Sequence, residues 1–421
     1  MKHIESRRQS ILREELNNQD WRMVEFRTSA VRLDHRPSSS VFHYRILTIL
    51  DAIFSAFVAA PTVVGYWRGT WGLSDIYILP GGNSKFASII IGYSGLLMFN
   101  IAQNKLNKIF HPDKHRLIYY IGSRIYTWLF GFFCVNAWRG GWQALDSYTG
   151  HNTITVITTT TIAIIALTSM KAIRNISAPP FALSLDSHPG YFEVPTMFRV
   201  DNTRHWALYV LDCAFSVGII GTLVVFVWRG IFVLLDLHLL PNNRQHSAIT
   251  SVIIGYIIVA ITFCLQPTMR YTCGRMQGLS RLLVADAFLL LSFSGTVNVW
   301  RGIWAILDLW LLPSNIELSC WITHIGCFLF LGLLNCSNSV LVRGVYIDAE
   351  EEEGRCVVFP CHYLRLFFKI EREKKEARRR NIGSISRNFP HNNHEKDVDN
   401  GTLLNRTTIP TIIPANSENN V

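Results

Sequence analysis

Apolar and polar positions along this chain fall into long blocks rather than a short period. Eight mostly apolar blocks occur, at 46–67, 86–104, 117–138, 153–170, 207–228, 247–266, 279–300 and 320–342. A helix that crosses a bilayer needs about 20 such residues, so the pattern predicts an all-α polytopic membrane protein with eight transmembrane helices. The fourth block is the most polar, with Thr155, Thr158, Thr159, Thr160 and Thr161. Threonine hydroxyls bond their own helix backbone or a neighbouring helix, which suits a span buried inside a bundle.

Charge sharpens the picture. Only 17% of the 421 residues are charged, against about 25% in ordinary soluble domains. Of the 40 Lys and Arg, 33 lie in the N-terminal segment, the 105–116, 171–206 and 267–281 loops, and the C-terminal tail; six lie in the alternate loops and Arg124 within a span. Positive charge stays cytoplasmic, so both termini are expected inside the cell at the plasma membrane. The net charge of +10 then reports topology, and no nucleic-acid partner is expected. No signal-peptide core appears before residue 46, so the first span is expected to be its own targeting signal. The expected organisation is a cytoplasmic segment 1–45, a membrane half 46–170, a connector 171–206, a second half 207–342 and a largely disordered tail 343–421. None of the nine cysteines has metal-type spacing, and no disulfide framework is expected.

A short pattern recurs at the end of every second block: Trp-Arg-Gly, then Asp seven residues after the Arg. The copies are Trp67-Arg68-Gly69 with Asp75, Trp138-Arg139-Gly140 with Asp146, Trp228-Arg229-Gly230 with Asp236, and Trp300-Arg301-Gly302 with Asp308. A second aromatic follows each Trp by four: Trp71, Trp142, Phe232 and Trp304. Copies one and three are 161 residues apart and copies two and four 162 apart. Asn136 and Asn298 precede copies two and four, Leu79-Pro80 and Leu240-Pro241 follow copies one and three, and Gly92-Tyr93 matches Gly255-Tyr256. The spans therefore form four parallel-repeat hairpins from a duplicated pair.

Repeated Trp-Arg-Gly hairpins over eight spans resemble the Fuseless family, eight-pass neuronal membrane proteins of invertebrates, over about 45–342. The resemblance implies a non-enzymatic role at the synapse, organising membrane components such as presynaptic calcium channels in neurotransmission.

Arg and Asp seven apart share a helical face but are separated by roughly 10 Å, so each Arg is expected to reach the Asp of another hairpin. Glycine after Arg allows a bend or a close helix approach, and the Trp residues suit the interfacial aromatic belt. Two roles fit the pattern: a structural clamp at the outer ends of the hairpins, or an ion or solute vestibule. A deeper layer, Asp51, Arg124, Asp212 and Asp286, occupies matching places in the four outward-running spans. Intramembrane charges mark functional candidates. One Arg facing three Asp motivates the alternative reading, a transporter or channel; pairing of Arg124 with one Asp while the others reach the interface is the plainer one.

His324 reads as a structural hydrogen-bonder, and the Asn335–Asn338 pair is expected to bond between helices. No catalytic residue, cofactor site or metal site is recognisable, and an enzyme is not expected. In the tail, acids 350–353 precede Cys356 and Cys361, candidates for acylation, and a basic stretch from Leu364 to Arg380 suited to anionic lipid or simply to water.

Overall fold

The computed structural model describes residues 38–110, 116–186, 190–202, 204–351 and 353–368, with isolated residues to 379. The expectations for the N-terminal arm, the disordered tail and most of the basic stretch lie outside the described residues. The chain divides into one unit to Phe368, which holds the helical bundle, and a second, from Lys369, that is almost wholly undescribed.

Helices dominate, and no strand occurs among the described residues. In chain order we number α1 (38–77), α2 (Ser84–Ile109), α3 (Arg116–Thr149), α4 (Thr153–Ser169), α5 (Trp206–His238), α6 (Arg244–Arg275), α7 (Gly278–Trp310) and α8 (Ile316–Leu333). Within α1 and α5 a π-helical turn falls at equivalent places, Ser55–Ala59 and Ser216–Ile220, 161 residues apart. Six helices are long and apolar enough to cross a membrane: α1 from Arg45, α2, α5, α6, α7 and α8. The apolar α4, at 17 residues, is shorter. Arg124 and Arg139, set among Tyr, Trp and Gly, dilute the apolarity of α3. These helices make the protein a membrane protein.

Packing departs from simple hairpins. The helices that carry the motif, α1, α3, α5 and α7, contact one another in a closed inner ring. Each is backed by the even-numbered helix before it in the chain: α2 packs on α3, α4 on α5, α6 on α7, and α8 returns to α1. The tightest unit is thus an even-numbered helix with the motif helix that follows it, and the last helix closes on the first.

Glycine makes this intimacy sterically available. A Cβ at Gly69 would lie 2.6 Å from the Cys320 carbonyl oxygen of α8, and one at Gly255 would lie 2.6 Å from the Val299 nitrogen of α7. Gly92 sits against the Ala137 backbone in the same way. Motif glycines therefore serve close approach, and their helices continue through them.

Two expectations about boundaries are corrected. The motif helices run on for ten or so residues past each Trp, so the motif lies inside the helix rather than in an outer loop. Hydropathy falls at Trp-Arg-Gly, yet paired charge and close packing keep the helix intact. The eighth span, placed at 320–342, ends at Leu333; the chain then turns at Asn335 (φ 57°) into a 3-10 turn, Ser337–Val340. The connector begins alike, with Lys171 (φ 54°) and Ile173–Ile176. Both turns bury their apolar residues, Ile173, Ile176 and Val340 being fully buried. The connector is thus not merely a link outside the bundle, because its start is part of the core.

Candidate functional site: a closed ring of Trp, Arg and Asp

Four indoles meet in the middle of the inner ring. Trp67 contacts Trp138, Trp138 contacts Trp228, Trp228 contacts Trp300 and Trp300 contacts Trp67, all edge-to-face with centroids 5.2–5.7 Å apart. Such geometry places the positive ring edge of one indole on the negative face of the next. All four are buried, so they are not an interfacial belt. Facing inward satisfies four large rings against one another. One helical turn further on, Trp71 contacts Trp142 and Trp304, and Trp142 contacts Phe232, at 5.3–5.8 Å. Two aromatic layers fill the axis. From the other side the connectors meet the first layer: Trp67 donates to the Val340 carbonyl, Trp228 to Ile176 and Trp300 to Pro179.

Around the indoles, every motif arginine reaches the aspartate of the preceding copy. The nitrogen–oxygen distances are 2.7 Å for Arg139–Asp75, 2.9 Å for Arg229–Asp146, 2.8 Å for Arg301–Asp236 and 3.0 Å for Arg68–Asp308. The order is cyclic, with the first arginine closing on the last aspartate. Arginine side chains are 1–7% exposed and the aspartates 29–51%, so the burial cost falls on the guanidiniums. Their remaining donors are taken by the backing helix: Ser319 for Arg68, Ser84 and Ser88 for Arg139, Ser247 for Arg301. Ser84, Ser247 and Ser319 pass the bond on to the carbonyls of Ile78, Leu239 and Leu311, at the ends of the preceding motif helices. Arg229 departs from this pattern, bonding Thr149 and the Gly150 carbonyl, because α4 offers no serine there. Sequence reasoning missed these serines; in copies three and four a Ser stands eleven residues after the motif Asp. Asn136 and Asn298 accept from Ser88 and Ser251, binding α2 to α3 and α6 to α7.

The deeper charges do not meet as a layer. Arg124 pairs with Asp186 of the connector at 2.7 Å, not with Asp51, Asp212 or Asp286. Asp51 accepts from the Leu364 nitrogen and pairs with Arg365 at 2.6 Å. Asp212 accepts from Thr196 Oγ1 at 2.6 Å and from the nitrogens of Phe198 and Val200 at 3.0 and 3.1 Å. Arg124, Asp51 and Asp212 have each gone to a neighbouring segment able to bond them, whereas neither oxygen of Asp286 has a hydrogen-bond partner among the described residues. Phe54 stacks on Tyr363 and Phe215 lies against Phe198, so the two anchors are built alike. A sequence signal existed: Pro195-Thr196-Met197-Phe198 corresponds to Pro360-Cys361-His362-Tyr363.

The halves also exchange caps. Asp186 accepts from the nitrogens of Ser337 and Asn338, while Asp348, 162 residues later, accepts from those of Ile173 and Arg174. Burial raises the Asp186 carboxyl above the usual range, opposed by Arg124 and the Ser337 and Asn338 donors. Burial likewise lifts Asp348 to about 6, against the pull of the Arg174 and Ile173 nitrogens. Asn335 and Asn338 bond Arg124 and Thr127 from this turn, rather than joining two helices. His324 is structural in its bonding: Trp128 Nε1 donates to Nε2 at 3.0 Å, so Nδ1 carries the proton toward Thr70 Oγ1 at 2.8 Å. Cys356 and Cys361 are buried, and burial pushes the Cys361 thiol up to about 12; acylation at these cysteines does not suit this packing.

Replacing Asp212 by Ala is expected to release 196–200 without disturbing the ring. Three bonds from this segment to a carboxylate are lost, each worth about 1.5 kcal/mol or more. Tryptic cleavage after Arg199, exposed and paired with Glu350, should accelerate at least tenfold or so, by the same arithmetic. Asp51→Ala should leave that rate unchanged.

Buried aromatic layers, cyclic ion pairs and swapped caps define a pseudo-fourfold helical membrane protein whose centre is closed. The family comparison agrees with the motif: the Fuseless family matches residues 46–341. The chain belongs to the Fuseless family. No curated relative and no solved structure matches it.

Proposed function

We propose that this protein is an eight-span, non-enzymatic organiser of synaptic membrane components, with presynaptic calcium channels as the expected clients and both termini cytoplasmic. Membership of the Fuseless family supports the synaptic reading. The observation that carries the choice of organiser over transporter is the filled axis. Two aromatic layers occupy the centre, and every motif arginine is spent on a neighbouring aspartate. A permeation path along the axis would require separating edge-to-face indoles and stripping partners from buried guanidiniums. The deeper acids at 51 and 212 are likewise committed to cap segments. α3 and α4 complete the eight spans in this reading, the threonine hydroxyls of α4 being turned onto its own backbone.

The discriminating experiment has two arms. Purified full-length protein in sealed vesicles should carry no ion flux above that of empty vesicles, and deleting 381–421 should disperse calcium channels that the intact chain clusters in the same cell membrane. Robust, substrate-specific flux that disappears on combined Asp51→Asn, Asp212→Asn and Asp286→Asn replacement would establish the transporter reading instead.

A further inference from the structure

The duplication is broken at one buried place. Arg124 lies fourteen residues before Trp138, and Asp286 lies fourteen before Trp300. In the first half Arg124 pairs with the cap carboxylate Asp186. The counterpart of Asp186 is Asp348, which caps the other 3-10 turn in the same way. In the second half the position equivalent to Arg124 carries a second carboxylate, Asp286, and Asp348 lies within electrostatic reach of it.

Asp286 is 4% exposed, and neither of its oxygens has a hydrogen-bond partner among the described residues. Orphaned buried carboxylate oxygens are rare because desolvation without a partner is costly. Asp348 spends one lone pair of each oxygen on the Ile173 and Arg174 nitrogens, and a carboxylate has about four such sites. Nearby cations do not neutralise the pair. Arg174, the cation acting on Asp348, is bonded to Glu351 at 3.1 Å. Arg281 stands five residues before Asp286 on α7, about 140° around the helix. It makes no ion pair with Asp286, and its Nε and Nη2 are themselves without a hydrogen-bond partner.

We propose that Asp286 and Asp348 form a binding site for a hard inorganic cation, of the sodium or calcium class, in the position that the Arg124 guanidinium occupies in the other half. Carboxylate oxygens are the donors such ions prefer, and backbone carbonyls supply further ligands in sites of this kind. The bound ion would tie α7 to the swapped cap and so lock the second half as Arg124 locks the first.

Two variants and a set of salts test this. Full-length protein, stripped by chelation and desalting, is melted in calcium chloride, sodium chloride and choline chloride at equal ionic strength. Calcium or sodium should raise the wild-type midpoint by about 3 °C or more over choline. Asp286→Asn should lose the response. Asp286→Arg recreates the charge arrangement of the first half and should fold, melt near the cation-loaded wild type and ignore the salt. Absence of any cation-specific shift in the wild type would overturn the proposal, as would a shift that Asp286→Arg retains. A wild-type midpoint that follows pH but no metal would mean that the carboxylates share a proton, which also overturns it.

Discussion

Asp146→Ala is expected to destabilise the protein by about 3–5 kcal/mol, the most damaging single change in the ring. Arg229 is 1% exposed and contacts Asp146 from both Nε and Nη2. Unlike the other arginines it has no serine from a backing helix, so removing the carboxylate leaves a buried charge held only by Thr149 and Gly150. Asp236→Ala should cost less, since Asp236 is half exposed and Arg301 keeps Ser247. Removing both charges should recover most of the loss. In Arg229→Met with Asp146→Ala no buried ion is stranded, and such apolar replacements are commonly near neutral. Unfolding midpoints in detergent for the two single variants and the double one measure this directly. A double variant as unstable as Asp146→Ala would mean that the loss comes from packing rather than charge.

Gly92→Ala is expected to cost about 3 kcal/mol, although alanine is the better helix former by about 1 kcal/mol. The new methyl would meet the nitrogen and Cα of Ala137, and backbone cannot swing aside as a side chain can. α2 must then move away from α3, loosening the Ser88–Asn136 and Arg139–Ser84 bonds that cross the same interface. Gly255→Ala should behave alike against Val299. Gly326→Ala is the control: nothing lies within 4 Å of its added Cβ, and the helix should gain slightly. Thermal melts of the three variants should rank Gly92→Ala and Gly255→Ala below the wild type and Gly326→Ala at or above it.

Much of this was legible in the chain, for identifiable reasons. Long apolar blocks mark helices because a bilayer demands length, and the two-turn separation of Arg and Asp excludes a tight pair within one helix. Which aspartate each arginine chooses was not legible. That depends on even-numbered helices packing against the motif helix that follows them, and on α8 closing against α1, which no local pattern encodes. Hydropathy also cut the motif helices short, since it counts Arg and Trp as polar or neutral and is blind to their partners. The deeper charges misled for a related reason. Asp51, Arg124 and Asp212 look like a layer in linear register, yet segments from the connector and tail insert and claim them one by one. The similar Pro195 and Pro360 segments, and the 162-residue spacing of Asp186 and Asp348, carried that information in short stretches outside the long apolar blocks.

The eight helices form a closed ring in which the last packs on the first, and one substitution tests that closure most directly. At Gly72 of α1 an added Cβ would lie 3.6 Å from the Cβ of the native Cys320 in α8, within the range of about 3.5–4.5 Å that a disulfide spans. Gly72→Cys protein in its membrane is oxidised, cut by a site-specific protease at a cleavage sequence placed in the 187–189 stretch of the connector, and run without reductant. A closed ring holds the two fragments together as one band that reductant separates, with Cys320→Ser abolishing the link. Fragments that part without reductant would contradict the closure.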